Sequence, residues 1–300
     1  MRNKMKERQR SVPRIVSKFP GWDDFAGIFF FLAVLGTFLF ELLVVCRHLY
    51  PVDLYGPLIH GLIGTFLLHN IIGNFIMIIR YESTIRGKIM VTSFSSPSSS
   101  QANSRSRICM ICETTSPPRS HHCLVCNVCV LKRDHHCTFA KTCIGYSNYR
   151  YYLPLCLHLS IGAFYATILN MLFIWNLLGG FNIWNLLAHT FPFIFWTFGK
   201  LPLYHTFCCI ISVINIAGCL FSLGLLLYHG SMVFTNQTVH EKNKGIDIYD
   251  LGSWKMNVYH SLGSNWALVW LSPFIPSKLP GNGQNFPTRT EFKLNSSKNK

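Results

Sequence analysis

FAGIFFFLAVLGTFLFELLVVC, Phe25 to Cys46, is a run of 22 residues with one charged side chain, Glu41. As a helix rising about 1.5 Å per residue it reaches roughly 33 Å, enough for a hydrocarbon core of about 30 Å. It is longer than the apolar region of a signal peptide, about 7 to 15 residues, and no small-residue cleavage site follows it. The run therefore reads as a retained membrane span. Glu41 lies near its lumenal end, where snorkelling to the interface accounts for the charge. Upstream, residues 1 to 20 hold seven basic side chains and one acid, Glu7. Downstream, Arg47 to Tyr55 makes a short connection, and Pro57 to Ile79 supplies a second apolar run of 23 residues. Two spans joined so tightly form a hairpin across the bilayer.

Half of the 300 residues are hydrophobic and only 13% are charged, against about 25% in a soluble domain. A membrane protein follows. The excess of 27 Lys and Arg over 12 Asp and Glu would point to nucleic acid in a soluble chain. Here the charges lie almost wholly outside the apolar runs, so they read as topology signals and no nucleic-acid partner is expected. Tyr151 to Trp175 and Tyr204 to His229 are the third and fourth spans. Phe181 to Phe198 is also apolar, but Gly179, Gly180 and Pro192 mark it as a lumenal interfacial or half-inserted element. With four spans, the N-terminal part, the cysteine-rich segment and the C-terminal part share one face and hold 25 of the 27 bases, which the positive-inside rule places in the cytosol. A fifth span would strand eight bases on the other side.

The expected fold is an all-α membrane protein of four transmembrane helices, with a cytosolic cysteine-rich zinc-binding domain between the second and third. Its divisions are a basic cytosolic N-terminus (1–24), the first helix pair (25–80), the cysteine-rich domain (81–150), the second helix pair with its lumenal connection (151–229) and a cytosolic C-terminal region (230–300). A serine-rich segment, 93–106, is too polar to bury a core and reads as a linker. The expected location is the endoplasmic reticulum or Golgi, with both termini cytosolic. Asn236-Gln237-Thr238 and Asn295-Ser296-Ser297 are glycan acceptors only if that topology is inverted.

Seven of the twelve cysteines fall between Cys109 and Cys143, beside four histidines. In a secreted chain such a count would read as disulfides; this density points instead to metal in a reducing compartment. The pattern is Cys109-x2-Cys112, His121-His122-Cys123-x2-Cys126-x2-Cys129, Asp134-His135-His136-Cys137 and Cys143. Each C-x2-C pair places two thiolates on one turn, as a tetrahedral zinc requires. Two closed sites need eight ligands, and spacing alone does not choose the partition. If both are Cys3His, one cysteine remains. Cys137 is the best candidate, because it belongs to no C-x2-C pair and follows Asp134, His135 and His136. A thiol whose proton is taken by an imidazole, itself oriented by a carboxylate, is the arrangement of a cysteine nucleophile, although any one cysteine here is more readily a ligand.

Taken together, Cys109 and Cys112, Pro118 to Cys123 with Cys126 and Cys129, Asp134 to Cys137, and Cys143-Ile144-Gly145 with Asn148 resemble the DHHC-type protein S-acyltransferases, or palmitoyltransferases. The resemblance implies one zinc on Cys109, Cys112, His122 and Cys129, and a second on Cys123, Cys126, His136 and Cys143, both structural. It implies Cys137 as nucleophile, His135 as base and Asp134 as its orienter. Palmitoyl-coenzyme A is the implied co-substrate, the implied acceptors are cysteines of proteins at the cytosolic membrane face, and the bilayer is a partner throughout. A chain of roughly sixteen carbons gains about 0.8 kcal/mol per buried CH2 in a cavity among the helices. Phe139 would pack on the thioester end of that chain. Gly162, at the level that limits chain length in the third span, implies tolerance of longer chains. Lys132, Arg133 and Lys141 are candidates to meet the coenzyme phosphates.

Thr238-Val239-His240-Glu241 resembles the family's Thr-Thr-x-Glu stretch, and Asn257 with Leu262 and Gly263 its later packing element, so Thr238 and Asn257 are supporting residues. The chain departs from the family at Val239, which lacks the hydroxyl expected near the catalytic aspartate, and at Thr138 to Thr142, where Pro-Trp and Asn-Asn are usual. These departures imply a divergent branch of lower or unusual activity. The alternatives from another class are an inactive zinc-domain membrane scaffold and a membrane ubiquitin ligase, in both of which Cys137 is inert or a ligand. Among polar residues within the spans, His60, His69, Asn70 and Asn74 are expected to face the bundle as hydrogen-bonding groups.

Overall fold

The computed structural model describes residues 22–86 and 107–298. The basic stretch up to residue 21 and the serine-rich linker 93–106 lie outside the described residues. Helix α1 (Trp22–Phe40) runs through a π-helical turn, Glu41–Val45, into the short α2 (Cys46–Leu49). Helix α3 (Tyr55–Arg80) starts where the Asp53 carboxylate accepts the amide protons of Tyr55 and Gly56 at 2.9 and 3.0 Å, which satisfies donors that a helix start leaves unpaired. Helices α4 (Tyr149–Leu177) and α7 (Leu203–Phe234) complete the set. Among the described residues, Phe25–Leu49, Tyr55–Arg80, Tyr149–Leu177 and Leu203–Phe234 are the helices long and apolar enough to cross a membrane. The chain is a multi-pass membrane protein.

The apolar segment between the last two spans does not cross. It folds into α5 (Ile183–Thr190) and α6 (Pro192–Thr197), whose eight and six residues rise only about 12 and 9 Å. Asn182 caps α5 by accepting the Asn185 amide proton at 2.9 Å, and Pro192 opens α6. A 3.0 Å contact between His189 Nε2 and Ser212 Oγ ties α5 to α7.

Helix α4 packs most extensively on α7 and next on α3. One core cluster joins Ile71, Phe75 and Ile78 of α3 to Tyr149, Tyr152 and Leu153 of α4 and to Val233 of α7; another joins Phe40, Val45, Phe173, Ile174, Cys208 and Cys209. Two polar residues correct the sequence reading. Glu41 does not snorkel: its carboxyl accepts a hydrogen bond from Asn170 of α4 and lines an internal cavity. The wider π turn that begins at Glu41 shifts the helix register there. His69 is exposed from the bundle and pairs with Ser272 Oγ at 3.1 Å, while Asn70 Nδ2 donates to Leu271 O at 3.3 Å. That face of α3 is covered by the chain's own later segment, where a Cβ on Gly73 would lie 2.6 Å from Pro273 Cγ.

Between α3 and α4 the cysteine-rich segment forms three antiparallel hairpins: β1 (Arg107–Cys109) with β2 (Thr114–Ser116), β3 (His121–Cys123) with β4 (Val128–Val130), and β5 (His135–Cys137) with β6 (Thr142–Ile144). Strands of three residues do not hold a hairpin together in water, so cross-linking has to come from elsewhere. After α7 follow α8 (Val239–Asn243), α9 (Trp254–Leu262) and α10 (Arg289–Lys298).

Candidate active site

The hairpins repeat every 14 residues: Arg107, His121 and His135 begin their first strands, Thr114, Val128 and Thr142 their second. Glu113, Asn127 and Lys141 occupy the same place in each tight turn, all with φ near +48° to +49°. His122 is paired across its hairpin with Cys129, and His136 with Cys143. The second and third hairpins thus each present an imidazole and a thiol side by side, and the C-x2-C turn of the hairpin before supplies the remaining two thiols.

The result is two interleaved clusters, Cys109, Cys112, His122 and Cys129, and Cys123, Cys126, His136 and Cys143, with ligand atoms within 4.8 Å of one another. In the first, His122 Nδ1 lies 3.6 Å from Cys109 Sγ and 3.2 Å from Cys112 Sγ. In the second, His136 Nδ1 lies 3.8, 3.3 and 3.7 Å from the sulfurs of Cys123, Cys126 and Cys143, and Cys126 and Cys143 are 3.8 Å apart. A tetrahedral ion with metal–sulfur bonds of about 2.3 Å separates its ligands by roughly 3.5 to 3.8 Å. Both clusters fit such an ion.

The repeat is present in the sequence and explains which cysteine is left over. Cys137 occupies the place that Cys109 and Cys123 hold in the earlier hairpins, but the partner three residues beyond, Cys112 or Cys126, is Ala140 in the third. Cys137 belongs to neither cluster. It is half-buried and lines the internal cavity with His135.

Asp134 is buried, and its Oδ2 lies 2.8 Å from His135 Nδ1 and 3.3 Å from His229 Nδ1 of α7. Burial pushes its carboxyl up, but the hydrogen bonds from His135 and His229 outweigh this and hold it well below the usual carboxylate range. The other oxygen, Oδ1, accepts the Val239 amide proton at 2.9 Å. The missing hydroxyl at Val239 is thereby replaced by the backbone. Thr238 makes that possible as the cap of α8: its hydroxyl accepts the Glu241 amide proton at 3.3 Å, and Glu241 Oε2 accepts the Thr238 amide proton at 2.9 Å.

Glu241 is anchored in turn by Arg119, which donates to both carboxylate oxygens at 2.7 Å; the two side chains are 0% and 4% exposed. Arg119 also lies over the Tyr249 ring, 4.3 Å from its centroid. Neither this pair nor His229 was singled out from the sequence, because Arg119 and Glu241 are 122 residues apart and His229 sits on α7, remote in sequence from the hairpin it meets. Asn257 holds the turn before α9, donating to Phe234 O and Asp250 Oδ1 at 2.7 Å and accepting from Leu251 N at 3.0 Å. Asn148 fixes the third hairpin to the helices by donating to Ile78 O at 3.2 Å and Cys143 O at 3.1 Å. Asn236 is buried with its amide bonded to Tyr249 O, so it offers no glycan site.

The cavity, about 530 Å³, is walled by apolar residues of α1, α3, α4 and α7. Phe139 stands near the nucleophile's end, its ring 6.0 Å from that of Phe30. Gly162 lies in the wall, where an added Cβ would stand in ordinary contact range of Ile71 and Leu67, 3.6 and 3.9 Å away. The three bases separate. Lys141 is exposed and Arg133 half-buried, but Lys132 is buried, with Nζ 2.9 Å from Asn236 Oδ1 and 3.4 Å from Ser261 Oγ. The expectation of a coenzyme contact does not hold for Lys132: its length of chain leads inward. Burial, then the neighbouring Arg119, pull its ammonium down to about 7.

A helical membrane bundle that holds a thiol, a carboxylate-oriented imidazole and an apolar cavity beside two cysteine–histidine clusters fit to hold metal defines a class of lipid-handling thiol enzymes. Residues 102–246 match the family described as DHHC palmitoyltransferase. The chain is 35% identical over 222 residues to the probable palmitoyltransferase ZDHHC24 of Danio rerio, covering 74% of this chain and 72% of that protein. It is 33% identical over 248 residues to the Homo sapiens protein of that name, covering 79% and 82%, and 32% identical over 245 residues to that of Mus musculus, covering 78% and 81%. The chain belongs to the DHHC palmitoyltransferase family and is a protein S-palmitoyltransferase.

Proposed function

We propose that Cys137 carries the acyl group between palmitoyl-coenzyme A and a cysteine of an acceptor protein. The observation that carries this reading is that Cys137 shares a hairpin with His136 and Cys143 yet stands outside both metal clusters and opens on the apolar cavity beside His135. His135 donates Nδ1–H to Asp134, which leaves Nε2 to take the Cys137 proton. The thiolate attacks the thioester carbonyl carbon, the carbon–sulfur bond to coenzyme A breaks, and the leaving thiolate recovers the proton from His135. An acceptor-protein cysteine repeats the exchange on the acyl-enzyme. Thioester replaces thioester in both steps, so positioning supplies most of the catalysis.

Two zinc ions, one in each Cys3His cluster, would cross-link the hairpins and take no part in the transfer. Lys141, which is exposed, and Arg133, which is half-buried, would meet the coenzyme phosphates. The hairpins and both termini face the cytosol, in endoplasmic reticulum or Golgi membranes, as the distribution of bases supports. Gly162 leaves room for long chains in the cavity wall.

The test is acyl labelling from palmitoyl-coenzyme A. Wild type forms an adduct that neutral hydroxylamine releases, and Cys137→Ser forms none. Equal labelling of Cys137→Ser would overturn the reading and favour a zinc-domain scaffold.

A further inference from the structure

The cavity has apolar walls but a polar far end. Glu41, His60 and Asn215 line it there, on three different helices. Their depth follows from helix rise. On α4, Tyr152 meets His135 at 4.9 Å and Tyr165, which contacts His60, comes thirteen residues later, about 20 Å away at about 1.5 Å per residue. On α7, His229 lies 5.1 Å from His135 and Asn215 is fourteen residues from it, about 21 Å. On α1, Phe30 lies 6.0 Å from Phe139 and Glu41 is eleven residues on, about 17 Å. The three side chains therefore share one level, roughly 17 to 21 Å from the nucleophile.

Their hydrogen bonding is incomplete. His60 is held between Tyr50 and Tyr165. Glu41 accepts from Asn170 on one oxygen, but its Oε2 is buried without a hydrogen-bond partner. Asn215, 6% exposed, has its Nδ2 in the same condition. A carboxyl oxygen and an amide N–H group are thus left over on the walls of one cavity. A buried polar group without a partner costs about 1 to 3 kcal/mol, and polar groups at membrane depth are retained chiefly for function. A chain ending in a methyl leaves both unpaired. A hydroxyl, with one donor and two acceptor sites, is complementary to both.

We propose that this polar floor is a specificity site for acyl chains bearing a hydroxyl at the ω end. Carbon chains built of bonds of about 1.5 Å advance roughly 1.25 Å per carbon in extended form, so the floor lies about 14 to 17 carbons from the thioester. The inference rests on the reading that Cys137 accepts the acyl group.

The experiment compares coenzyme A thioesters of equal heavy-atom length on the purified full chain: 16-hydroxyhexadecanoyl against heptadecanoyl, and 14-hydroxytetradecanoyl against pentadecanoyl. The rate of Cys137 acylation at subsaturating thioester is read by intact mass. The hydroxylated member of at least one pair is expected to react about five- to tenfold faster, the worth of one net hydrogen bond. Placing the hydroxyl at carbon 2 of a hexadecanoyl chain gives no such advantage over palmitoyl. In Asn215→Leu the ratio within the favoured pair falls to about one, and the wild-type ratio stands as the test should that variant not fold. Equal or faster reaction of the methyl-ended member in both pairs would overturn the proposal and mark the floor as merely hydrated. Absence of any Cys137 adduct, even from palmitoyl-coenzyme A, would instead remove the acyl-enzyme reading beneath it.

Discussion

At Val239 a side chain departs from the family while the interaction it was expected to make survives. The Val239 amide donates to Asp134 Oδ1 at 2.9 Å, and it sits at the first position of α8, where the helix has no use for that proton. Proline is well tolerated at that position, and Thr238, at φ −95° and ψ 164°, already has the extended backbone that precedes a proline. Val239→Pro therefore removes one hydrogen bond to a carboxylate, worth about 1.5 to 3 kcal/mol, and little else. Cys137 acylation is expected to slow about tenfold or more, with α8 and the metal content retained. Val239→Thr, which restores the expected hydroxyl, should stay within about twofold of wild type, because the backbone already supplies the donor. An acylation rate in Val239→Pro equal to wild type would show that Asp134 needs no third support.

Lys132 supplies the pH dependence at this scale. Its folded value of about 7 lies below the ordinary 10.5. The unfolded chain thus binds more protons between the two, and stability rises as pH increases from about 7 towards 10. Lys132→Met is expected to flatten that rise, as read from thermal midpoints in detergent across the range. The burial of Lys132 was not legible in the sequence, since its partners Asn236 and Ser261 lie 104 and 129 residues away. The C-x2-C pairs of the two clusters were legible because their geometry is local, each turn bringing its own two sulfurs together, whereas the partition into two clusters depends on contacts between hairpins.

The helices and hairpins differ in what the chain announces about them. Apolar run length gave all four spans, with ends short by a few residues: Phe25 to Cys46 became Phe25–Leu49, and Tyr204 to His229 became Leu203–Phe234. The polar residues of the last turns remain helical after the apolar run has ended. The hairpins gave no strand signal, because three residues are too few for an alternating pattern to register. Their 14-residue repeat did carry the information, down to Ala140 in place of a third knuckle cysteine. Since hairpin β3–β4 gives ligands to both clusters, the two sites should fail together. Cys112→Ser lies in the cluster that does not share Cys137's hairpin; it is expected to lower bound metal from about two ions to one or fewer, to expose the hairpins to limited proteolysis and to lose acylation. Retention of wild-type acylation at reduced metal content would separate the first cluster from the site's integrity.

For the molecule as a whole, the decisive fit is that of the third hairpin on the membrane helices, since it sets Cys137 over the cavity. Asn148 and Ser83 fix the hairpin's base: Ser83 Oγ donates to Asn148 Oδ1 at 3.1 Å, and Asn148 reaches Ile78 O and Cys143 O. Its tip meets α1, where a Cβ on Gly27 would lie 2.7 Å from Phe139 O. That oxygen belongs to the backbone and has no rotamer by which to give way. Gly27→Ala must therefore lift the tip or shift α1, and a misplacement of about 1 Å at a reacting centre costs on the order of 100-fold. The expected outcome is a fall of tenfold or more in Cys137 acylation, with bound metal unchanged and a stability loss of about 1 to 3 kcal/mol. Gly36→Ala, on the same helix with nothing within 4 Å of the new Cβ, controls for helix propensity and should acylate at the wild-type rate. If Gly27→Ala matched Gly36→Ala, close seating of the hairpin on α1 would not govern the reaction, and the cavity mouth would have to tolerate a looser domain than this packing requires.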